Sequence, residues 1–329
     1  MKRPIAMIAG TGRSVPRRVM TNDEFAAIGI ETSDEWIRER TGIRARHVAG
    51  EGETLTSLSA DAARKAMEAA GVGVGEIDAI VVGTVSPDHL LPSAAVEIQA
   101  ALGASRAAAF DIDAACTGWL YGTNVAEGLI ATGSAETVLV IGAEVLTRIV
   151  DWKDRNTCVL FGDGAGATIL RRAAKGRGIL SSYMRSDGTL AQLLWRPAGG
   201  GATPVSPENI ADGSFWIKMQ GREVFKHAVR SMADACDRAL DLAKLPADAI
   251  DLVIPHQANI RIIEATAKHA NVPMDKVYVN VDRYGNTSAG SIPIALDEAV
   301  RSGRITEGST VLFVGFGAGF TWGSIIVRF

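Results

Sequence analysis

The sequence is poor in cysteine, in net charge and in long hydrophobic runs. Its three cysteines, Cys116, Cys158 and Cys236, form an odd set without metal-ligand spacing, so we expect no metal site and a reducing compartment, the cytoplasm. A formal net charge of −3 argues against general binding of nucleic acid. No apolar stretch is long enough to cross a bilayer, which takes about 20 residues, so we expect no membrane partner.

The hydrophobic and charged contents are typical of a globular protein with a large core. Hydrophobic residues make up 47% and charged residues 22% of the 329 positions, and this length allows two subdomains or one large α/β unit. The apolar run in residues 1–10 is too short for a signal peptide, and Gly12 and Arg13 interrupt it. It predicts a first buried strand.

Two hydrophobic segments occur twice, in the same order. Residues 77–84 (IDAIVVGT) resemble residues 250–257 (IDLVIPHQ), and residues 137–142 (TVLVIG) resemble residues 310–315 (TVLFVG). Continuous apolar, β-branched runs of this kind are typical of strands that are buried on both faces. The repetition predicts a chain made of two similar α/β halves.

Helical patterns separate the paired runs. They lie at residues 57–70, 121–132, 221–242 and 260–270. Strands that alternate with helices at this spacing predict βαβ units and mainly parallel sheets. We place the two halves at residues 1–173 and 174–329, because a basic, glycine-containing segment between them has the character of a linker.

Cys116 is located where a buried strand is predicted to turn into a helix. Residues 107–122 contain a short extended run, then small residues, then a long helical pattern. Unpaired N–H groups and the helix dipole at a helix N-terminus favour the thiolate, the nucleophilic form; the alternative is a buried structural cysteine. Aligning the helix ends at Gly133 and Gly303 pairs Cys116 with Asn286, which predicts two helix N-termini facing one cleft.

Three segments of the second half place candidate functional residues next to the ends of predicted strands and helices. His256 leaves the strand at residues 251–254, a usual place for chemistry in α/β proteins, although a satisfied loop histidine also fits. The segment 284–291 (YGNTSAGS) contains Asn286 and also fits a simple N-cap. The glycines in residues 316–319 (FGAG) permit close backbone approach, and no nucleotide-binding motif accompanies them.

Six segments, taken in order, resemble β-ketoacyl-acyl-carrier-protein synthase III, and the resemblance extends from the first strand to Phe329. They are residues 34–43 (DEWIRERTGI), 114–116 (AAC), 160–166 (LFGDGAG), 256–259 (HQAN), 285–288 (GNTS) and 317–323 (GAGFTWG). The resemblance implies a thiolase-like fold, in which duplicated α/β halves form five layers, α-β-α-β-α, and a homodimer. It also implies that Cys116, His256 and Asn286 are the catalytic triad.

The implied reaction is an acyl transfer that initiates fatty-acid biosynthesis, without a cofactor. Cys116 takes the acyl group of an acyl-CoA, malonyl-acyl-carrier protein loses carbon dioxide, and the resulting enolate attacks the acyl-enzyme. His256 and Asn286 would stabilise the enolate, and the backbone N–H groups of Cys116 and Ala318 would form the oxyanion hole. A histidine with an asparagine, rather than two histidines, is the family pattern for priming by CoA.

The same resemblance implies where the substrates bind. Coenzyme A is expected at Trp36, Arg40, Thr41, Arg155, Arg222 and Asn259. The acidic carrier protein is expected to dock at Lys226, Arg261 and Lys268. The acyl pocket is expected to include Leu91, reaching across the dimer, and Trp119.

Three other functions stay open at this point. A specialised synthase-III-like condensing enzyme or acyltransferase of secondary metabolism shares these motifs, and differs in pocket shape and malonyl carrier. A cysteine hydrolase would use Cys116 and His256 to hydrolyse a thioester without a malonyl carrier. A non-catalytic thiolase-fold binding protein would have no need of the intact Cys–His–Asn set.

Overall fold

The protein is described from residue 4 to residue 329 by a computed structural model, so residues 1–3 of the predicted first strand lie outside the described range. The strands are β1 Ala6–Ser14, β2 Arg18–Thr21, β3 Ala45–Val48, β4 Ala79–Gly83, β5 Ala108–Ile112, β6 Thr137–Val145, β7 Asp163–Arg172, β8 Gly178–Ser186, β9 Leu194–Trp195, β10 Lys218–Met219, β11 Leu252–Pro255, β12 Thr310–Gly317 and β13 Thr321–Arg328. The helices are α1 Asp23–Ala27, α2 Asp34–Thr41, α3 Leu55–Ala70, α4 Ala94–Leu102, α5 Gly118–Thr132, α6 Arg155–Cys158, α7 Pro207–Ala211, α8 Gly221–Ala243, α9 Ile260–His269, α10 Val281–Tyr284 and α11 Ser291–Arg301. Within residues 4–329, none of the helices has both the length and the apolar character needed to span a membrane.

Two sheets form the framework of the molecule. The strand order is β1-β7-β6-β4-β5 in the first sheet and β11-β12-β13-β8 in the second. The parallel pairs are β4–β5, β4–β6 and β11–β12, whereas the other neighbours are antiparallel. The sheets are therefore mixed, and the prediction of mainly parallel sheets is wrong. One reason is that β12 returns almost directly into β13, and so short a connection allows only antiparallel pairing.

Helices and sheets alternate in five layers. The helices α3 and α4 cover one face of the first sheet, α5 and α11 lie between the sheets, and α8 and α9 cover the outer face of the second sheet. This is the α-β-α-β-α arrangement that the family resemblance implies. It also explains the continuous apolar strands, because each sheet has helices on both faces.

The side chains of β12 show how one strand serves two cores. Leu312 and Val314 belong to the core between the second sheet and α8, whereas Val311 and Phe313 belong to the core between the two sheets. Successive side chains of a strand point to opposite faces, so both sets must be apolar. The absence of polar alternation in the sequence follows from this double burial.

The two halves repeat the same strand pairing. Ala79 of β4 pairs with Val138 of β6 as Leu252 of β11 pairs with Val311 of β12, both in parallel register. The predicted boundary between residues 173 and 174 falls in the connection from β7 to β8 and stays a prediction.

The turns that precede the two central helices also correspond. The turns Ala115–Thr117 and Ser288–Gly290 are both 3₁₀, and the first residue of each has a φ of 46°. Cys116 therefore corresponds to Ala289, and the predicted pairing of Cys116 with Asn286 is wrong. The helix ends are a poor reference because α5 has 15 residues and α11 has 11.

Candidate active site

Cys116 lies between β5 and α5, as the strand-to-helix pattern predicts. The turn Ala115–Thr117 carries it, and only 9% of the residue is exposed. A Cβ on Gly317 would lie 2.7 Å from the backbone nitrogen of Cys116, and a Cβ on Gly83 would lie 2.5 Å from the carbonyl carbon of Gly118. These glycines let the ends of β12 and β4 approach the turn. Cys116 is therefore enclosed by one strand from each sheet.

His256 follows β11 directly and is buried. Its Nδ1 lies 2.6 Å from Ser291 Oγ, and that oxygen accepts the backbone N–H of Gln257 at 3.3 Å. The Ser291 hydroxyl has a hydrogen to donate, and we assign it to Nδ1, so that the ring hydrogen is on Nε2. Burial lowers the pKa of His256 to about 3, so at neutral pH the ring is neutral and Nε2–H is a hydrogen-bond donor.

Asn286 is held on both sides by backbone groups. Its backbone N–H donates to the carbonyl of Leu160 at 2.9 Å, and its own carbonyl accepts the N–H of Gly162 at 3.0 Å. Its side-chain Oδ1 accepts the backbone N–H of Ser288 at 2.8 Å. Because the amide oxygen is occupied in this way, the Nδ2 amino group is the part that remains to donate to a ligand.

Cys116, His256 and Asn286 line one cavity, and its other walls are mostly apolar. The remaining lining residues are Leu160, Phe161, Leu194, Met219, Gly221, Val224, Phe225, Ala228, Met232, Ala258, Asn259, Ile262, Phe316 and Gly317. In such low-dielectric surroundings, hydrogen bonds to a developing charge are stronger than in water.

Burial decides the charge state of the nucleophile. It raises the pKa of Cys116 to about 12; the Ser288 hydroxyl and the N–H groups of Cys116 and Ala318 lower it, and the charge of Glu144 raises it. The resting form is therefore the thiol. The backbone N–H groups favour the thiolate, as expected, but the sulfur loses more solvation on burial than these groups replace. Acylation then requires a group that accepts the thiol proton.

The N–H groups of Cys116 and Ala318 act on the same sulfur. Ala318 follows the end of β12, and its φ is not in the left-handed region. Alanine therefore adopts this backbone without strain. Both N–H groups therefore lie close to the candidate nucleophile.

A wider cavity opens outside the first. Its volume is about 750 Å³, against about 110 Å³ for the inner cavity. The two share Leu160, Met219, Gly221, Phe225 and Asn259. The outer cavity is also lined by Trp36, Arg40, Thr41, Arg155, Asn156, Val159, Arg222, Lys226 and Arg261. All six residues predicted to contact coenzyme A therefore lie at the mouth of a path to Cys116.

Two arginines lie against the indole ring of Trp36. The guanidinium carbon of Arg40 is 4.5 Å from the centroid of the indole, and that of Arg155 is 4.7 Å from it. Planar guanidinium groups stack on aromatic rings and bind phosphate with two N–H groups. The charged helix α2 is thus part of a cavity wall rather than a solvated surface alone.

Thr41 and Asn259 have partners within the protein. The Thr41 hydroxyl donates to the carbonyl of Ile37 at 2.6 Å. Asn259 caps α9 by accepting the N–H of Arg261, and it donates to the carbonyl of Arg40, both at 2.9 Å. Asn259 therefore joins α9 to α2 across the mouth of the path.

The residues predicted to dock a carrier protein separate into two groups. Lys226 and Arg261 line the outer cavity, and Lys226 forms an ion pair with Glu223 at 2.8 Å. Lys268 is exposed on α9 and does not line this cavity. Arg230, on the same helix as Lys226, borders a different groove.

A third cavity, of about 400 Å³, also reaches Cys116. It is lined by Val85, Asp113, Ala114, Ala115, Leu146, Ile149, Phe161, Ala191, Leu194, Trp195, Arg196, Ile217, Ser288, Ala318, Gly319 and Thr321. Since it meets the inner cavity at the nucleophile, it is the space available to an acyl chain on Cys116.

Neither residue predicted for the acyl pocket lines this cavity within one chain. Leu91 is 88% exposed, in the loop between β4 and α4. Trp119 is buried in the core between the sheets, where its Nε1 donates to Thr168 Oγ1 at 3.1 Å and its ring meets Phe313 edge-on at 5.4 Å. The prediction for Trp119 is therefore corrected: the turn of α5 directs the indole away from Cys116.

Sequence reasoning missed the buried carboxylate of Glu144. It lies in β6, in the run TVLVIGAEV, and it accepts a hydrogen bond from the Ser288 hydroxyl at 3.1 Å. A lone acidic residue in an otherwise apolar strand was the available signal, because a buried charge needs partners. Among residues 4–329, no group of three or more His, Cys, Asp or Glu side chains is arranged to hold a metal ion.

Comparison with known proteins gives concordant results over the whole chain. Residues 110–188 match the family model described as 3-oxoacyl-[acyl-carrier-protein] synthase III, and residues 240–329 match the model of its C-terminal part. The chain is 51% identical over 328 residues to the β-ketoacyl-[acyl-carrier-protein] synthase III of Xanthomonas campestris, covering 100% of this chain and 99% of that protein. It is 50% identical over 323 residues to that of a Roseiflexus species, covering 98% of each. The crystal structure of 3-oxoacyl-[acyl-carrier-protein] synthase III from Aquifex aeolicus superposes with a TM-score of 0.92 at 44% identity, covering 98% of this chain and 100% of that one.

Proposed function

The chain belongs to the 3-oxoacyl-[acyl-carrier-protein] synthase III family, and we propose that Cys116, His256 and Asn286 carry out its reaction. The enzyme is an acyltransferase that condenses an acyl primer with a malonyl unit and so initiates fatty-acid biosynthesis. The observation that carries the residue assignment is the single cavity onto which these three side chains open, behind a cationic mouth.

In the first half-reaction, an acyl-CoA enters with its thioester next to Cys116. The sulfur attacks the carbonyl carbon, coenzyme A leaves, and the acyl group stays on the enzyme. The carbonyl oxygen carries negative charge during the attack, and the N–H groups of Cys116 and Ala318 stabilise it. The acyl chain then extends into the third cavity.

In the second half-reaction, malonyl-acyl-carrier protein takes the place of coenzyme A. Loss of carbon dioxide leaves an enolate, whose oxygen accepts hydrogen bonds from Nε2 of His256 and Nδ2 of Asn286. Both donors are neutral and fixed, His256 by Ser291 and Asn286 by Ser288, so they need no reorganisation when the charge develops. The enolate carbon then attacks the acyl-enzyme and releases β-ketoacyl-acyl-carrier protein.

Coenzyme A is proposed to bind in the outer cavity. Trp36 stacks on the adenine, and Arg40 and Arg155 contact the phosphates. Thr41, Arg222 and Asn259 line the passage for the pantetheine arm. The carrier protein, which delivers the same arm, docks on Lys226, Arg261 and Lys268 around this mouth. Coenzyme A is part of a substrate, and no separate cofactor takes part.

We propose that the working unit is a homodimer in the cytoplasm. Leu90 and Leu91 stand side by side with 80% and 88% of their surface exposed, which supports a partner that covers them. Cys116, Cys158 and Cys236 are all unpaired, in keeping with a reducing compartment.

Mass spectrometry of the intact protein tests the nucleophile. After exposure to a panel of acyl-CoAs, the wild type should gain the mass of one acyl group, and Cys116→Ala should gain none. Cys158→Ala is the matched control and should be acylated like the wild type. An acyl group mapped to Cys158 or Cys236 would contradict the assignment.

A second measurement separates condensation from hydrolysis. The acylated enzyme, given malonyl-acyl-carrier protein, should release carbon dioxide and form β-ketoacyl-acyl-carrier protein. Loss of the acyl group at the same rate without the malonyl carrier would instead identify a cysteine hydrolase.

A further inference from the structure

Glu144 is a buried carboxylate directly behind the nucleophile. It is 1% exposed, and its oxygens accept hydrogen bonds from the hydroxyls of Thr84, Ser86 and Ser288 and from the N–H of Val85. Among the residues that the structure describes, no lysine, arginine or histidine lies within ion-pair distance of it. Burial raises its pKa to about 7. Glu144 is therefore able to hold or release a proton near neutral pH.

Ser288 connects this carboxylate to the nucleophile. Its Oγ donates to Glu144 Oε1 at 3.1 Å, and Ser288 lines the third cavity together with Cys116. The hydroxyl oxygen still has an acceptor site for the Cys116 S–H. The Ser288 φ of 46° is rare for a side-chain-bearing residue, and the hydrogen bond from its N–H to Asn286 Oδ1 fixes the turn. A strained residue that is held by its surroundings is typical of a functional position.

The two groups that could accept the Cys116 proton differ greatly in basicity. Burial lowers the pKa of His256 to about 3, whereas the pKa of Glu144 is about 7. The Glu144 carboxylate is therefore the stronger base of the two. His256 is also required as a neutral Nε2–H donor in the second half-reaction, which is a different task from accepting a proton.

We propose that the Cys116 proton travels through Ser288 to Glu144 during acylation and returns by the same path during condensation. As the Cys116 sulfur bonds to the acyl carbon, its proton passes to Ser288 Oγ, and the Ser288 proton passes to the Glu144 carboxylate. Coenzyme A leaves as a thiolate and takes a proton from solvent. When the enolate attacks, the C–S bond to Cys116 breaks, the sulfur takes the Ser288 proton, and Glu144 returns its own proton to Ser288.

The protons moved in these steps add up to those of the overall reaction. The malonyl carboxylate leaves as carbon dioxide, and one proton is consumed per turnover, the one taken up by the coenzyme A thiolate. The acyl-enzyme stores the other proton on Glu144. The inference rests on the proposed function, because it concerns the acylation of Cys116.

Other titratable groups on the surrounding elements face elsewhere. Asp163 of β7 is opposite Val145 rather than Glu144, and it accepts hydrogen bonds from Ala49 and Thr147. Charged side chains of α3, α11 and the β4–α4 loop have their own partners: Asp61 with Lys65, Asp297 with Arg13 and Arg301, Glu298 with Arg283, and Asp88 with the N–H groups of Leu55 and Thr56. Two titratable groups share the third cavity with Ser288, Cys116 and Asp113. Burial raises the pKa of Asp113, and the N–H of Ala115 lowers it.

The test is the pH dependence of the acylation half-reaction, followed by rapid quench and intact mass with acetyl-CoA. Because Glu144 accepts a proton only when ionised, the wild-type rate should rise with pH through about 7. Glu144→Gln should acylate about 10²-fold or more slowly, the usual contribution of a positioned base, and its rate should lack that rise. Decarboxylation of malonyl-acyl-carrier protein by the same variant should stay near the wild-type rate, since it needs His256 and Asn286 but no proton on Glu144.

Two further variants make the test specific. Thr84→Val removes a hydrogen bond that lowers the pKa of Glu144, so the rise should move to higher pH. Glu127→Gln is the matched control, because burial also raises the pKa of Glu127 to about 7 and it lies outside the site on α5; its profile should equal that of the wild type.

Ser288→Ala tests the same relay if the Glu144→Gln variant does not fold. Ala115 has the same φ of 46°, so alanine tolerates this backbone, and the variant should show the same slow acylation with Glu144 intact. The relay is wrong if the wild type is acylated at Cys116 and either variant, Glu144→Gln or Ser288→Ala, is acylated at the wild-type rate with the wild-type pH profile. If the wild type is not acylated at Cys116, the proposed function itself fails.

Discussion

At the scale of single residues, burial sets the chemistry of the site. It keeps Cys116 protonated and His256 neutral, although a solvent-exposed histidine would be partly charged near neutral pH. A neutral His256 suits a hydrogen-bond donor to an enolate. A protonated Cys116 instead requires a partner that accepts its proton, which the sequence pattern around it does not reveal.

His256→Ala and Asn286→Ala should therefore impair decarboxylation far more than acylation. Loss of one preorganised donor typically costs about 10²–10³ in rate, and we expect a loss of this size in carbon dioxide release. Acylation, measured by intact mass, should fall much less. His269→Ala, an exposed histidine on α9 paired with Asp237, is the matched control. Equal loss of both half-reactions would make His256 the base for the thiol and would also contradict the relay.

At the scale of secondary-structure elements, the residues proposed for the chemistry on Cys116 lie at element ends. Cys116 precedes α5, His256 follows β11, and Ala318 follows β12. Helix and strand ends carry the backbone groups that no regular hydrogen bond satisfies, so donors and turns are concentrated there. The mouth of the cavity is lined by Trp36 and Lys226 from within α2 and α8, and by Asn259 from the N-cap of α9.

Charge reversal on α8 should weaken recognition of the carrier protein. We expect Lys226→Glu to raise the KM for malonyl-acyl-carrier protein about five-fold, a size appropriate to an exposed ion pair, and to reduce the dependence on ionic strength. Acylation by acyl-CoA should change little. Arg230→Glu, on the same helix but bordering a different groove, is the matched control. An unchanged KM for Lys226→Glu, or an equal rise for both variants, would place docking elsewhere.

At the scale of the whole molecule, the five layers enclose a cavity system, and the two most exposed large hydrophobic side chains of residues 4–329 stand together in one loop. The loop with Leu90 and Leu91 lies on the surface of a single chain, whereas the third cavity beside Cys116 is open to the exterior. A homodimer that uses this loop would cover exposed leucines, and it would let a partner's Leu91 close the acyl cavity. The acyl site is then complete only in the assembly.

Leu91→Phe should shorten the acyl cavity of the partner subunit. Overpacking by a ring typically costs about 1–3 kcal/mol, which predicts a loss of about 10-fold or more in kcat/KM for a long primer. Acetyl-CoA should be spared, because its chain does not reach the end of the cavity. Leu90→Phe is the matched control and should leave primer preference unchanged. If Leu91→Phe affects long and short primers equally, Leu91 does not determine chain length.

The sequence by itself determined the elements and most of the candidate site. Continuous apolar runs predicted the buried strands, and the strand-to-helix pattern predicted the position of Cys116 before α5. The ordered motifs brought His256 and Asn286 to the same site. These inferences succeed because burial on both faces of a strand and the pattern of a helix start are encoded by residues close together in the chain.

Only the tertiary structure decided the register of the two halves, the charge state of Cys116 and the position of Trp119. The turns before α5 and α11 match by backbone conformation, while the helix ends used for alignment differ because α11 is shorter. The contact between Glu144 and Ser288 joins two residues far apart in the sequence, and the pKa of Cys116 depends on how completely the layers exclude water. Packing between distant segments produces both effects, so no local pattern in the sequence contains them.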